Sequence, residues 1–494
     1  MNNLSKQGYL NLVRTIRDPL YGPIHLTEQE LLIVDHPLFR RLHNVRQNGL
    51  LYYIFPSATH TRFEHSLGVV QSATYILEAL FHNCLVSSNK PTTAIKESKC
   101  KNNKAYNLKL LNDKEVCTLF RILRLTALIH DIGHGPLSHT FDSFAPLRSN
   151  IVDILKSEPV LKPLQPFINH IAGQDKNRIE HEEMSCIIFT KIWNDIEGDN
   201  IIPQVISSIL LDYVPNCIPE QYIRFIPLLR DIIASAPVDA DRMDYIERDS
   251  LSFGVSYGIY DRPRLLKSFL VYCEETDYDS FHFRLGIKKS GIRAVENFIQ
   301  ARFELFVQVY YHKTNQALEQ MLQEVAKIAS EESIDIFKEK SLSLILTTYL
   351  KLTDKHFVDL LSGEDNKIQN ASINEIGKEI LNRKLWKRIF DADNEELVDK
   401  VYSHINGNEE YRLKKVQIDP KATKDLDKGA KILFRDKDGV YTVSESNWLD
   451  HSPMMEALST EENKIHRIYL KSSDKELAKD LRIKIRNYEH QIRK

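Results

Sequence analysis

The residues best able to do chemistry lie between Leu123 and Asp142. An apolar helical run ends in an adjacent His130–Asp131 pair, and Gly133, Gly135 and Pro136 stop the helix there. His130, Asp131, His134, His139 and Asp142 all fall within this reach. Imidazole and carboxylate together suit a divalent first-row metal. A rigid helix end holds ligands better than a loop does. A lone His on an apolar helix is ordinarily a packed core residue. Three His and two Asp around a glycine break are another matter, because buried charges need partners. His139 stands three residues before Asp142, so the carboxylate can orient its ring as a general-acid dyad.

Such a cluster needs partners from elsewhere in the chain. Upstream, Arg62 and His65 are three apart in Thr61-Arg62-Phe63-Glu64-His65 and share a helix face. One can bind phosphate while the other binds metal. Downstream, Pro237 opens a helix on which Asp241, Asp244, Tyr245 and Arg248 fall on one face. A carboxylate, a ring and a guanidinium are therefore expected to look into one pocket.

Five segments appear in order: Asp18-Pro19-Leu20-Tyr21-Gly22, Phe39-Arg40-Arg41-Leu42, Arg62 to Val69, His130 to Asp142, and Asp239 to Asp249. Together they resemble the HD-domain deoxynucleoside triphosphate triphosphohydrolases, over residues 14–315. The resemblance implies a divalent cation (Mn, Fe, Mg, Zn or Co) held by His65, His130, Asp131 and Asp241. It implies catalytic roles for His134, His139, Asp142 and His181. It places Gln47 and Asp249 at the sugar 3′-hydroxyl, Tyr245 beside C2′, Arg62, Arg242 and Arg302 at phosphates, and Tyr310 near base or sugar. Mammalian members follow the Gln with a Leu; this chain has Asn48. The implied reaction cuts a deoxynucleoside triphosphate between the α-phosphorus and the 5′-oxygen, giving a nucleoside and inorganic triphosphate. The alternatives are another HD phosphohydrolase (a nucleotidase or cyclic-nucleotide phosphodiesterase) and a nucleotide-sensing protein.

Many relatives in this family also assemble as homo-oligomers with a nucleotide effector between subunits. The resemblance implies a tetramer or hexamer here. Asp35 matches one effector-binding position, but Arg40 and His43 stand where mammalian members carry a Gln and an Arg. Those side chains cannot copy the same donor–acceptor pattern, so GTP dependence is not expected. Arg264, Lys288 and Lys313 stay basic where a second effector position binds phosphates.

The elements that must position these residues are expected to be mainly helical. The 494 residues exceed one core's worth. An HD-domain helical core over 1–330 and a smaller α+β region over 331–494, for subunit packing and regulation, are expected. Thr27 and Glu30 form a capping box. The helix after them puts Leu31, Leu32, Val34, Leu38, Phe39 and Leu42 on one side. Arg40, Arg41, His43 and Arg46 crowd the other, as a solvated basic face or a phosphate-binding rim. Residues 83–114 read as an inserted surface loop. A short strand is expected at 282–286, and one long helix from Gly291 to Ser330. A hairpin is expected around Asp436-Lys437-Asp438-Gly439, a strand over 464–471 and a charged amphipathic helix from Asp474.

The formal net charge of −2 excludes a global field for nucleic acid or membrane. No apolar run is long enough to span a bilayer, and the first eight residues carry no apolar signal core. Six Cys without a Cys-x-x-Cys pair read as reduced thiols. A cytoplasmic protein is expected.

Overall fold

A computed structural model describes residues 10–86, 103–235, 237–276, 281–365, 367–406, 411–419, 429–435, 440–444, 446–460 and 464–492, without the side chains of 84–86, 139 and 140. The chain is mainly α, with its strands in small sheets. Long apolar helices pack into one continuous core. Arg62–Val86, Asp113–Ile129, His181–Ile196 and Ala240–Phe253 are its central members. Arg62–Val86 lies against both Asp113–Ile129 and Ala240–Phe253. That contact sets the spacing of the site, because each of the three helices carries part of it.

Close approach is built into the sequence at Gly68. A Cβ there would lie 1.9 Å from Asp244 Oδ1, so only glycine lets helix Ala240–Phe253 come this near. Helix Asp113–Ile129 begins with a capping box from Asn112 and Glu115. From Leu119 its residues are buried on almost every side, which explains its apolar run.

The expected helix after Thr27 has its capping box, but it is broken. Glu28–Asp35 ends at His36, and Pro37 starts a new short helix, Pro37–Arg40. Proline has no N–H to continue the ladder and fits a first helical turn. Leu32 is exposed rather than part of the apolar face. The long helix expected from Gly291 is also interrupted. Ile292–Leu305 passes into a π-helical turn, Phe306–Tyr310, and Lys313–Glu331 restarts after it. His312 caps the restart by accepting a hydrogen bond from the Thr314 N–H. π-turns of this kind gather at functional sites, and this one carries Phe306 and Tyr310 to the cavity described below.

Residues 83–114 are helical up to Val86, and Ala105–Tyr106 is a strand at the edge of a five-stranded sheet; residues 87–102 lie outside the described residues. That sheet runs Ala105–Tyr106, Phe269–Glu275, Phe281–Lys288, Lys431–Arg435 and Tyr441–Val443. Strand Phe269–Glu275 was not anticipated from the sequence. The last pair is the expected hairpin, antiparallel with Leu433 opposite Val443; its turn, 436–439, lies outside the described residues. Because Lys431–Arg435 pairs parallel with Phe281–Lys288, part of the C-terminal region completes a sheet begun in the N-terminal one. A second sheet, with Ile465–Leu470 between Lys387–Ala392 and Leu413–Ile418, packs under helices Glu395–Asn406 and Lys475–Ile492 on its own small core.

One cysteine departs from expectation. Cys273 is disulfide-bonded, so the six are not all reduced thiols. Cys117, Cys186 and Cys217 are free. No helix among the described residues is long and apolar enough to cross a membrane.

Candidate active site

The end of helix Asp113–Ile129, the start of Arg62–Val86 and the start of Ala240–Phe253 bring His65, His130, Asp131 and Asp241 together. His65 Nε2 stands 3.0 Å from Asp241 Oδ1 and 3.6 Å from Asp131 Oδ2. His130 Nε2 stands 3.4 Å from Asp131 Oδ1 and 3.8 Å from Asp241 Oδ1. Both ring nitrogens are buried and make no well-aligned hydrogen bond. Two imidazole nitrogens and two carboxylates converging in this way are a donor set suited to a divalent cation. The residues present therefore fit a metal.

Each ring is fixed from behind. His130 Nδ1 donates to the Ala127 carbonyl at 2.8 Å, which leaves Nε2 to face the cluster. His65 Nδ1 lies 2.7 Å from Asp244 Oδ2. Burial opposes a charge on His65, yet the neighbouring Asp241 and Asp244 carboxylates push it up to about 10. Burial would raise the Asp131 carboxyl, but Arg62, His130 and His134 hold it well below the usual range. Asp241 is likewise lowered against burial, by His130 and His65.

His134 and His181 stack with ring centres 3.8 Å apart. His134 Nε2 is 3.4 Å from Asp131 Oδ1. Asp131, His134 and His181 offer ligand atoms within 4.8 Å of one another. Burial, then the charges of Arg62 and His181, keep the His134 ring neutral. Asp142 Oδ2 lies 3.8 Å from His181 Nδ1. The side chain of His139 lies outside the described residues, so the expected dyad with Asp142 has no geometry here. Gly133 lets the turn touch helix His181–Ile196, since a Cβ there would meet the His181 carbonyl at 2.0 Å.

A cavity of about 560 Å³ opens beside this cluster. It shares Arg62, which pairs with Asp131 and donates to Ser138 Oγ at 2.8 Å. Gln47, Asn48, Tyr245, Asp249 and Tyr310 also line it. Arg302 donates to the Tyr245 hydroxyl at 3.2 Å. Asp249 accepts from Asn48 Nδ2 at 2.9 Å, from the Tyr310 hydroxyl, and pairs with His60 Nε2 at 2.6 Å. Arg242 is turned onto Asp239, the N-cap of its own helix.

Other residues sit elsewhere than the sequence led us to expect. Arg248 does not look into the pocket. It is buried behind it, with Nε on Asp244 Oδ2 at 2.8 Å and Nη1 on Asp18 Oδ2 at 2.9 Å. Arg41 is not on a basic rim. It is 5% exposed and donates to the Ile132 and His134 carbonyls, bracing the turn after His130. Of the effector candidates, Arg264 donates to the Ser290 carbonyl at 2.8 Å, and Lys288 to the Lys267 carbonyl at 3.1 Å. Asp35 ends helix Glu28–Asp35, and Lys313 begins helix Lys313–Glu331. His43 stacks on Phe63 at 3.6 Å.

Residues 276–424 match the family described as the HD associated region. The chain is 28% identical over 350 residues to an uncharacterised protein of Methanocaldococcus jannaschii, covering 70% of this chain and 57% of that one. It is 27% identical over 399 residues to the human deoxynucleoside triphosphate triphosphohydrolase SAMHD1, covering 78% of this chain and 56% of that one. The matches thus span a little over half the length of these two relatives. A solved structure of a hypothetical protein from Aquifex aeolicus aligns with a TM-score of 0.61 and 24% identity, over 95% of this chain and 99% of that one. It shares the fold. The resemblance to HD-domain proteins extends over most of the chain.

Proposed function

We propose that this protein is an HD-domain phosphohydrolase, and more finely a metal-dependent deoxynucleoside triphosphate triphosphohydrolase. The observation that carries the reading is the convergence of His65, His130, Asp131 and Asp241 beside a nucleotide-sized cavity lined by Gln47, Tyr245, Asp249 and Tyr310. The name of the human relative points the same way. A divalent cation on the four ligands would polarise a phosphate oxygen and lower the pKa of water.

The chain's own groups supply the rest. Arg62, Arg242 and Arg302 stabilise the charge that develops on the phosphates. His134 and His181, stacked at the cluster, contact phosphate or the attacking water. Water adds to the α-phosphorus and the bond to the 5′-oxygen breaks. His139, oriented by Asp142, gives the leaving oxygen its proton. Tyr245 packs against the sugar where a 2′-hydroxyl would clash.

One observation favours the second reading, a nucleotidase or cyclic-nucleotide phosphodiesterase. Asp249 already accepts from Asn48, His60 and Tyr310, so a 3′-hydroxyl must compete for it. Purified protein with each of Mn, Fe, Mg, Zn and Co, given dNTPs, NTPs, dNMPs and cyclic nucleotides, separates the two. Faster turnover of dNTP than of NTP, with nucleoside released, supports the first; equal rates on dGTP and GTP, or turnover of monophosphates, favours the second. The same assay with and without GTP, alongside sedimentation, tests the oligomer and its nucleotide effector. We expect a tetramer or hexamer with no GTP requirement.

A further inference from the structure

One carboxylate from beyond residue 330 touches two loops of the site. Asp354 is the first residue of helix Asp354–Ser362 and is 7% exposed. Its Oδ2 accepts from the Arg46 backbone N–H and its Oδ1 from that of Leu137, both at 2.8 Å. These amides belong to two separate loops, and each immediately precedes a cavity residue: Gln47 in one, Ser138 in the other. The loops meet again where Ser138 Oγ donates to the Gln47 carbonyl at 2.9 Å and accepts from Arg62.

The backbone here is under constraint. Leu137 and Ser138 have φ of 57° and 54°, a left-handed pair that residues with side chains rarely adopt. Strain of this kind persists only where the surroundings over-determine it, and it gathers at functional sites. Asp354 supplies that determination with two charge-assisted hydrogen bonds. Nothing in its role needs a solvent-facing or metal-facing atom.

We propose that Asp354 is a positioning residue: it fixes the distance between the Gln47–Asn48 loop and the Ser138 loop, and so sets where the substrate's sugar lies relative to Arg62. The sugar part of this statement rests on the proposed function; the positioning part does not. An Asn at 354 keeps the shape but turns an amide N–H₂ towards one of the two donors, so one loop is released.

The test has two readouts on Asp354→Asn, with Asp354→Glu as a milder second variant should the first fail to fold. Hydrogen exchange needs no substrate. Amides of 44–50 and 134–142 should exchange at least about tenfold faster, while those of helix Arg62–Val86 keep their rates. Metal content should be unchanged. With substrate, KM should rise by roughly ten- to a hundredfold and the dNTP-over-NTP preference should fall, more than kcat does. Unchanged exchange in both loops would overturn the proposal, whatever the enzyme hydrolyses. Loosened loops with an unaltered KM and sugar preference would overturn its functional part. An inactive wild type would instead count against the proposed function and leave the exchange test standing.

Discussion

Asp244 Oδ2 stands 2.7 Å from His65 Nδ1, and Arg248 grips the same carboxylate with Nε at 2.8 Å. The imidazole is thereby turned so that Nε2 faces Asp131 and Asp241. Arg248 is itself anchored on Asp18, 230 residues earlier in the chain. A group that only orients a ligand still governs affinity, because an untethered ring must be ordered on binding. Asp244→Ala should lower metal affinity by about 10- to 100-fold with His65 intact. Titration with Mn or Co, followed by calorimetry, reads this directly. An unchanged dissociation constant would show that packing alone holds the ring.

His139 has its role from its spacing to Asp142 and from resemblance. His139→Ala should bind metal and nucleotide as the wild type does, and lose about 10²–10⁴ in kcat. If the rate at saturating substrate survives and only KM changes, the proton comes from elsewhere, and His134 or His181 becomes the candidate.

Glu319 lines the cavity and accepts from Asn315 Nδ2 at 3.0 Å and Gln316 Nε2 at 2.5 Å. Burial pushes its carboxyl from 4.5 up to about 7. The folded state then holds more protons than the unfolded one between these two values. Stability must fall as pH rises through that window, and the loss persists above it. Glu319→Gln mimics the neutral acid. It should raise stability at pH 8 by about 1–3 kcal/mol and change little at pH 4.5. Calorimetric melting of both proteins across this range decides it. Parallel curves would mean the carboxylate is well solvated through the cavity.

How much of this was legible depends on how far apart the cooperating residues lie. The end of the helix at His130–Asp131 could be read because Gly133, Gly135 and Pro136 follow it directly. The mainly helical fold followed from long apolar periodicities. Asp354 could not be found, since its partners lie 308 and 217 residues away and only the packed chain brings them near. Arg41 looked like one of a row of surface cations. Its burial is decided by the carbonyls of Ile132 and His134, which no local pattern announces. The helix break at Phe306–Tyr310 carries no Gly or Pro, so periodicity alone ran straight through it. Arg248 was placed on the correct helix face, but that face turned out to hold a buried ion-pair chain behind the ligands.

In the proposed reaction water attacks the α-phosphorus and the whole triphosphate leaves intact. ³¹P NMR of a dNTP reaction run in ¹⁸O-enriched water, with divalent metal present, tests it most directly. Expected are inorganic triphosphate carrying one ¹⁸O on a terminal phosphorus, an unlabelled deoxynucleoside, and loss of both products in Asp131→Ala. Labelled orthophosphate with a dNDP, or labelled dNMP with pyrophosphate, would contradict it.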